Sequence, residues 1–340
     1  MPTQAQPNRV SPDDDLRERV NKLFEWTNAN LPDMVAQDRL DEVKQSFEGF
    51  KGFGLSTSNL LHEAQSGAMV DLLVDNGADV DQPYEDEGMD EEQKPWNYTP
   101  LQAAVERGDR EVFDRLLAHN ADIEIGGDQR PLMIAIGYHP EDYTTGYQPD
   151  QDEATMIGMA NTLLDNGARV QAEEGEMPVL LAAVQKGHQA TLVQRLLEAG
   201  ADPTQSFEDH GKALHHVSDK QPGLADLLLD YGANVNEPSY DEANDNHETP
   251  LEAAMHKGNI KTVERLIERG ADAEELVQKP AWSWYSTLNN DPRVKATMEF
   301  VRGVATERER ATLHQAVAEV EQDTSPEVAE QPAPRRRARL

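Results

Sequence analysis

His215 and His216 stand side by side and are the residues in this sequence best suited to metal binding. Two acid-rich stretches come next. Residues 81–92 hold Asp81, Glu85, Asp86, Glu87, Asp90, Glu91 and Glu92, and 138–153 holds five acids. The first fails as a calcium loop, because Gly88 has Pro83 where the first ligand belongs. Acidic pairs such as Glu91-Glu92 are too common in this composition to serve as an acid–base pair. No P-loop, G-x-G-x-x-G or G-x-S-x-G motif is present. The absence of cysteine excludes disulfides, zinc–thiolate sites and a cysteine nucleophile. No cofactor, metal site or catalytic residue is therefore expected.

The bulk composition points the same way. The chain has 340 residues, 31 basic and 64 acidic, for a net charge of −33. Such a charge keeps a protein soluble and repels nucleic-acid phosphates and anionic membranes, so direct nucleic-acid binding is not expected. It favours a partner with a basic surface. MPTQAQPNRVSPDDD, 1–15, lacks the apolar core of a secretory signal, and no run approaches a membrane span. A cytoplasmic monomer is the expectation.

What positions these residues is a repeating element. TPLQAA at 99–104 returns as TPLEAA at 249–254. Each opens an apolar helix, a turn glycine (Gly108 or Gly258), a second helix with a Leu-Leu-like pair, and a G-A-D-like stop. The stop recurs as NGAD at 76–79, HNAD at 119–122, NGAR at 166–169, AGAD at 199–202, YGAN at 231–234 and RGAD at 269–272. The preceding pairs are Leu73-Val74, Leu116-Leu117, Leu163-Leu164, Leu196-Leu197, Leu228-Leu229 and Leu266-Ile267. Pro in the first turn loses no hydrogen bond, and Thr before it caps the helix. Glycine at the stop suits a left-handed cap, and Asn120 can replace it. The Leu pairs form a face that only stacked neighbours can bury.

The pattern resembles the ankyrin repeat, with its T-P-L-H-x-A start and period of about 33 residues. The likeness covers about residues 59–273. Full T-P-L occurs at Thr99 and Thr249, with weaker starts NLLHEA at 59–64, RPLMIA at 130–135, MPVLLA at 177–182 and KALHHV at 212–217. His62 and His215 occupy the H of the start, where the resemblance implies local backbone hydrogen bonds rather than metal binding. It also implies an all-α solenoid of six repeats with short β-hairpin-like fingers, whose work is non-enzymatic protein binding.

Stop positions 77, 120, 167, 200, 232 and 270 are spaced by 43, 47, 33, 32 and 38 residues. The excesses mark insertions at 81–98, 138–153 and 236–248. The first and third fall where an ankyrin-like stack places its fingers. The second lies between two helices, at the other end of the repeat. None of 81–92, 138–153 and 236–248 contains Lys or Arg. Acids mixed with aromatics suit recognition of a basic partner. The contact residues expected are Tyr84, Glu85, Asp86, Glu87, Trp96, Tyr98, Tyr138, Tyr143, Tyr147, Tyr240, Asp241 and Glu242. The plainer reading is a set of solvated loops. An enzyme with a site built from the insertions, and an acidic mimic of nucleic acid, are rival functions.

Residues 1–10 read as disordered. A helical cap is expected over 11–58, with one helix in 11–26 and a second through Val35, Leu40, Val43 and Phe47. Another cap with a long helix from Asp291-Pro292 covers 274–322, with Trp282 and Trp284 as cap core. Residues 323–340 read as a disordered tail ending in Arg335, Arg336, Arg337 and Arg339. That tail resembles the C-terminal export signals of bacterial type IV secretion substrates and, less closely, a nuclear import signal. A tail that folds back on its own acidic body fits the same residues.

Overall fold

The computed structural model describes residues 12–84, 98–138, 152–173, 175–187, 189–207, 211–241, 246–278 and 292–323. Two compact units divide the chain: 1–216 with 230–233, and 217–229 with 234–340. Among the described residues both are helical apart from one short hairpin and an isolated bridge between Ser206 and Lys212. No described helix is long and apolar enough to cross a membrane.

The first unit begins with α1 (Pro12–Ala36) and α2 (Leu40–Gly49). Four helix pairs follow: α3 (Leu60–Glu63) with α4 (Gly67–Asp75), α5 (Pro100–Arg107) with α6 (Arg110–Ala118), α7 (Pro131–Ala135) with α8 (Glu153–Asp165), and α9 (Val179–Lys186) with α10 (Ala190–Glu198). A single 3₁₀ turn, Ala213–His216, comes last. First helices stack on first helices in the order α3, α5, α7, α9 and the 3₁₀ turn. Second helices stack α4, α6, α8, α10, with α2 against α4. In the second unit, α11 (Gly223–Asp230) precedes a hairpin of β1 (Ser239–Asp241) and β2 (Asn246–Glu248). Then come α12 (Pro250–His256), α13 (Ile260–Glu268), α14 (Ala273–Gln278) and α15 (Pro292–Asp323). α15 packs along α12, α13 and α14, burying Val294, Met298, Val301 and Ala305.

The local chemistry explains these elements. Thr99 caps α5 and Thr249 caps α12, each in a full capping box closed by Gln102 or Glu252. Pro100, Pro131 and Pro250 fill first-turn positions. Five of the six stops are Schellman caps. The N–H of Ala78, Ala121, Ala168, Ala201 and Ala271 donates to the carbonyl of the first residue of the Leu pair, at 2.9–3.1 Å. The residue before it has positive φ, namely Gly77, Asn120, Gly167, Gly200 and Gly270. The recurrent Ala is thus the position after the left-handed residue, where an apolar contact accompanies this motif.

The Leu pairs are unequal. The first members, Leu73, Leu116, Leu163, Leu196, Leu228 and Leu266, are all fully buried. Of the second members, only Leu197 and Ile267 are buried.

Three features depart from the sequence reading. α1 does not stop at residue 26 but runs to Ala36 through Pro32, because Thr27, Leu31, Met34 and Val35 are buried on that stretch. Val35 therefore belongs to the first helix, and the break falls at Asp38, whose φ is 52°. KALHHV forms a 3₁₀ turn instead of an α-helix. Tyr138 is buried, with 5% exposure, so its ring is not at the surface as a contact. It follows Gly137 in another Schellman stop: its N–H donates to Met133 at 2.9 Å, and that of Gly137 to Ile134 at 2.8 Å. Ser11, Trp282 and Trp284 lie outside the described residues, as do 1–10 and the tail with Arg335, Arg336, Arg337 and Arg339.

Candidate functional site

The finger edge of the stack is held by a periodic set of polar side chains. At four of the stops the residue four positions on reaches the backbone of the next stop, while Thr204, at the same offset, bonds Asp202 in its own stop. Asp81 accepts from the N–H of Asp122 at 2.8 Å, and Glu124 from that of Arg169 at 2.7 Å. Gln171 donates to the carbonyl of Gly200. In the second unit, Asn236 accepts from the N–H of Asp272 at 2.9 Å and donates to the Gly270 carbonyl at 3.3 Å. Burial pushes the Asp81 carboxyl up, and its bond from Asp122 opposes that shift.

A second set comes from the fourth letter of the T-P-L start. His62 donates from Nε2 to the carbonyl of Tyr98 at 2.9 Å, and Gln102 from Nε2 to that of Gln129 at 2.8 Å. Both acceptors immediately precede the next start. The bond expected to be local for His62 therefore joins neighbouring repeats.

The base of the first insertion is pinned here. The N–H of Tyr84 donates to the Tyr98 carbonyl at 2.8 Å. The His62 ring meets Tyr84 edge-on and stacks on Tyr98. The Tyr98 hydroxyl donates to Glu106. In the second unit the hairpin pairs Ser239 with Glu248, Tyr240 with His247 and Asp241 with Asn246. There Glu248 pairs with His256, eight residues on, at the positions matching Tyr98 and Glu106. The two fingers use one link with different chemistry.

The first unit also holds a charged cluster. Arg130, which takes the place of Thr in R-P-L, has a side chain with 0% exposure. Its Nη1 lies 3.2 Å from the Gly127 carbonyl and 3.4 Å from Glu176 Oε2. Glu176 also pairs with Arg169 at 3.0 Å and accepts the Glu173 N–H at 2.9 Å. Burial pushes the Glu176 carboxyl up, but that N–H and the two guanidiniums outweigh it, and its pKa lies below the usual carboxylate value.

Comparison with known proteins decides what this array is. The model for three copies of ankyrin repeats matches residues 180–276, and the model for a single ankyrin repeat matches 96–128. This is an ankyrin-repeat protein. Its fold is similar to the human ASB11 ankyrin repeat domain, with a TM-score of 0.50 and 22% identity over 70% of this chain and 96% of that one. It is also 30% identical over 114 residues to the E3 ubiquitin-protein ligase KEG of Arabidopsis thaliana. That match covers 32% of this chain, which spans 7% of the length of that curated relative.

Within the ankyrin array, the expected contact residues other than the buried Tyr138 fall into three groups. Tyr84 and Tyr98 are half-buried and clasp the root of a finger. Tyr240 and Asp241 lie in β1 of the other finger. Glu85, Asp86, Glu87, Trp96, Tyr143, Tyr147 and Glu242 lie outside the described residues. The interrepeat polar set went unread in the sequence, although aligning the stops places Asp81, Glu124, Gln171, Thr204 and Asn236 at one offset. The capping boxes also stood in plain text as T-P-L-Q and T-P-L-E. His215 is buried and the His216 ring lies 3.4 Å from Gln185 Nε2. No group of three or more metal-ligating side chains occurs among the described residues.

His62 gives this edge a pH dependence. Burial holds its imidazole below the ordinary value of 6.5; Arg107 adds to that effect and Glu63 opposes it. The unfolded chain therefore takes up the proton first. Stability is whole above pH 6.5 and falls as the pH drops from there towards the lowered folded value. His62→Gln keeps a donor of the kind Gln102 already supplies and removes the titration. Urea midpoints measured from pH 7.5 to 5.5 should decline more steeply in the parent than in this variant. Parallel declines would show that His62 titrates freely in the fold.

Proposed function

We propose that this chain is a non-enzymatic protein-binding scaffold whose partner presents a basic surface to the acidic fingers. Ankyrin repeats indicate a protein-interaction scaffold, and stacked repeats expose extended faces suited to that work. The observation that carries the finer reading is the anchoring of the two fingers. The Tyr84–Tyr98 bond and the β1–β2 pairing fix the points where the chain leaves and rejoins the stack. The stretches 81–92 and 236–248 hold many acids and no Lys or Arg. Like charge on a binding segment accelerates capture of a basic partner more than it deepens affinity.

The test replaces Glu85, Asp86 and Glu87 together with Gln. Melting should be unchanged. Proteins captured from native lysate by the parent should associate several-fold more slowly with the variant at low ionic strength, and the difference should shrink with added salt. Equal association rates at low salt would remove the fingers from the binding surface.

A further inference from the structure

His62 stands where the first finger joins the stack, and it is buried, with 4% exposure. One carbonyl gathers the contacts there. That of Tyr98 accepts the Tyr84 N–H at 2.8 Å and the His62 Nε2–H at 2.9 Å. The imidazole also meets both finger rings, edge-on to Tyr84 at 5.4 Å between centroids and stacked on Tyr98 at 6.2 Å. Two further side-chain bonds brace this root: the Tyr98 hydroxyl to Glu106, and Gln82 Nε2 to Ser58 Oγ at 3.4 Å. The stack beneath is held differently. Leu60 and Leu61 of α3 are buried, and the N–H groups of Ala78 and Ala121 close the neighbouring second helices. The finger root can therefore open without unstacking the repeat that carries it.

A histidine is the side chain whose charge changes near neutrality. A second proton on this ring would sit on Nδ1, which is buried and has no hydrogen-bond partner. Burial opposes that charge most. The carbonyls of Tyr98 and Asn59 and the carboxylate of Glu63, in α3 itself, favour it, and the Arg107 guanidinium of α5 opposes it. Arg107 is held in place, its Nη1 donating to the His62 carbonyl and its Nη2 to that of Ala64 at 3.2 Å. The buried side chains of α1 and α4, which also pack on α3, are uncharged. Asp81, at the foot of the finger, bonds the Asp122 N–H. We propose that His62 is a proton-operated latch on the first finger: the neutral ring holds the root closed, and the protonated ring leaves Tyr84 and Tyr98, so that the root opens while the stack stays folded. The open root takes up its proton at the ordinary value of 6.5 and the closed root at a lower one. Closure is therefore complete above pH 6.5 and is lost as the pH falls from there towards the lowered value. The consequence for capture, a slackened carrier of Glu85, Asp86 and Glu87 in mild acid, rests on the function proposed above; the latch itself does not.

Amide hydrogen exchange of the full chain reads the latch at Tyr84, whose N–H crosses the root. Exchange is expressed as protection, so that the pH dependence of the exchange chemistry cancels. Tyr84 should lose several-fold protection between pH 7.5 and 5.5. Ala78 and Ala121, in the helix stops, should keep theirs. His62→Gln retains a donor, Asp81 and Glu106 and removes the imidazole, so its Tyr84 protection should not change over the same range. In the parent, the ring resonances of His62 should titrate with the midpoint of the Tyr84 change, below 6.5, a measurement that needs no variant. Tyr84 protection that is independent of pH in the parent overturns the proposal. So does an equal fall in His62→Gln, which would assign the change to a carboxylate such as Asp81. Loss at Ala78 and Ala121 together with Tyr84 would mean unfolding of the repeat and would overturn it too. None of these measurements involves a partner. Fingers that capture nothing would remove the function proposed above and leave the latch standing, whereas a Tyr84 amide indifferent to pH would remove the latch alone.

Discussion

Glu176→Ala should lower the stability of the first unit by about 3–5 kcal/mol. The loss comes less from the bond removed than from the charge left behind. Arg130 is wholly buried, and its guanidinium cannot lose its proton. Glu176, itself 16% exposed, is the carboxylate facing it. Without that carboxylate the buried cation keeps its desolvation cost and loses a counter-charge 3.4 Å away. The reverse change is gentler. Arg130→Met removes the charge and keeps much of the volume, and Glu176 still has Arg169 at 3.0 Å. Replacing a buried ion by an apolar residue of similar size is often close to neutral. Urea unfolding followed by circular dichroism should rank Glu176→Ala well below Arg130→Met. The opposite order would mean that Arg130 contributes by packing and that its charge is compensated elsewhere.

Arg130 also shows where the sequence reading reached its limit. R-P-L was legible as a weakened T-P-L, since the stops fixed its place in the frame. Nothing local announced that the arginine would be buried, because its carboxylate partner stands 46 residues away. The finger set was hidden for a related reason. Four repeats each contribute one polar letter, and those letters differ: Asp81, Glu124, Gln171 and Asn236. What they share is a geometric task, reaching the backbone of the next stop, which several side chains perform equally well. Tyr138 failed in the other direction. It stands beside an acidic stretch and was grouped with it by composition, yet its neighbour Gly137 makes it the apolar residue of a cap. At α1, the reading of a second helix that includes Val35 gives way to one helix running through Pro32, since Leu31, Met34 and Val35 are buried on it. Local chemistry was legible throughout; contacts between repeats were legible only where the same residue type recurred.

The recurrent Leu pair is the place where that distinction can be measured. It reads in the sequence as two equivalent apolar residues closing the second helix of every repeat. The structure separates them by helical phase. Leu196 in α10 is fully buried, and its carbonyl accepts the Ala201 N–H at 2.9 Å. Removing its side chain beyond Cβ loses transfer energy and leaves a cavity between helices that are themselves held by caps. Leu196→Ala should therefore cost about 2–5 kcal/mol. Leu164, the second member of the preceding pair, is only half-buried and leaves less of a void. Leu164→Ala should cost markedly less, because solvent already reaches the side chain and the site can collapse. Denaturant midpoints for both variants in one buffer provide the comparison, with each transition tested for two-state behaviour because stacked repeats can unfold in stages. Equal losses would mean that α8 and α10 are rotated from the phase described here, and with them the faces that the second-helix layer turns inward.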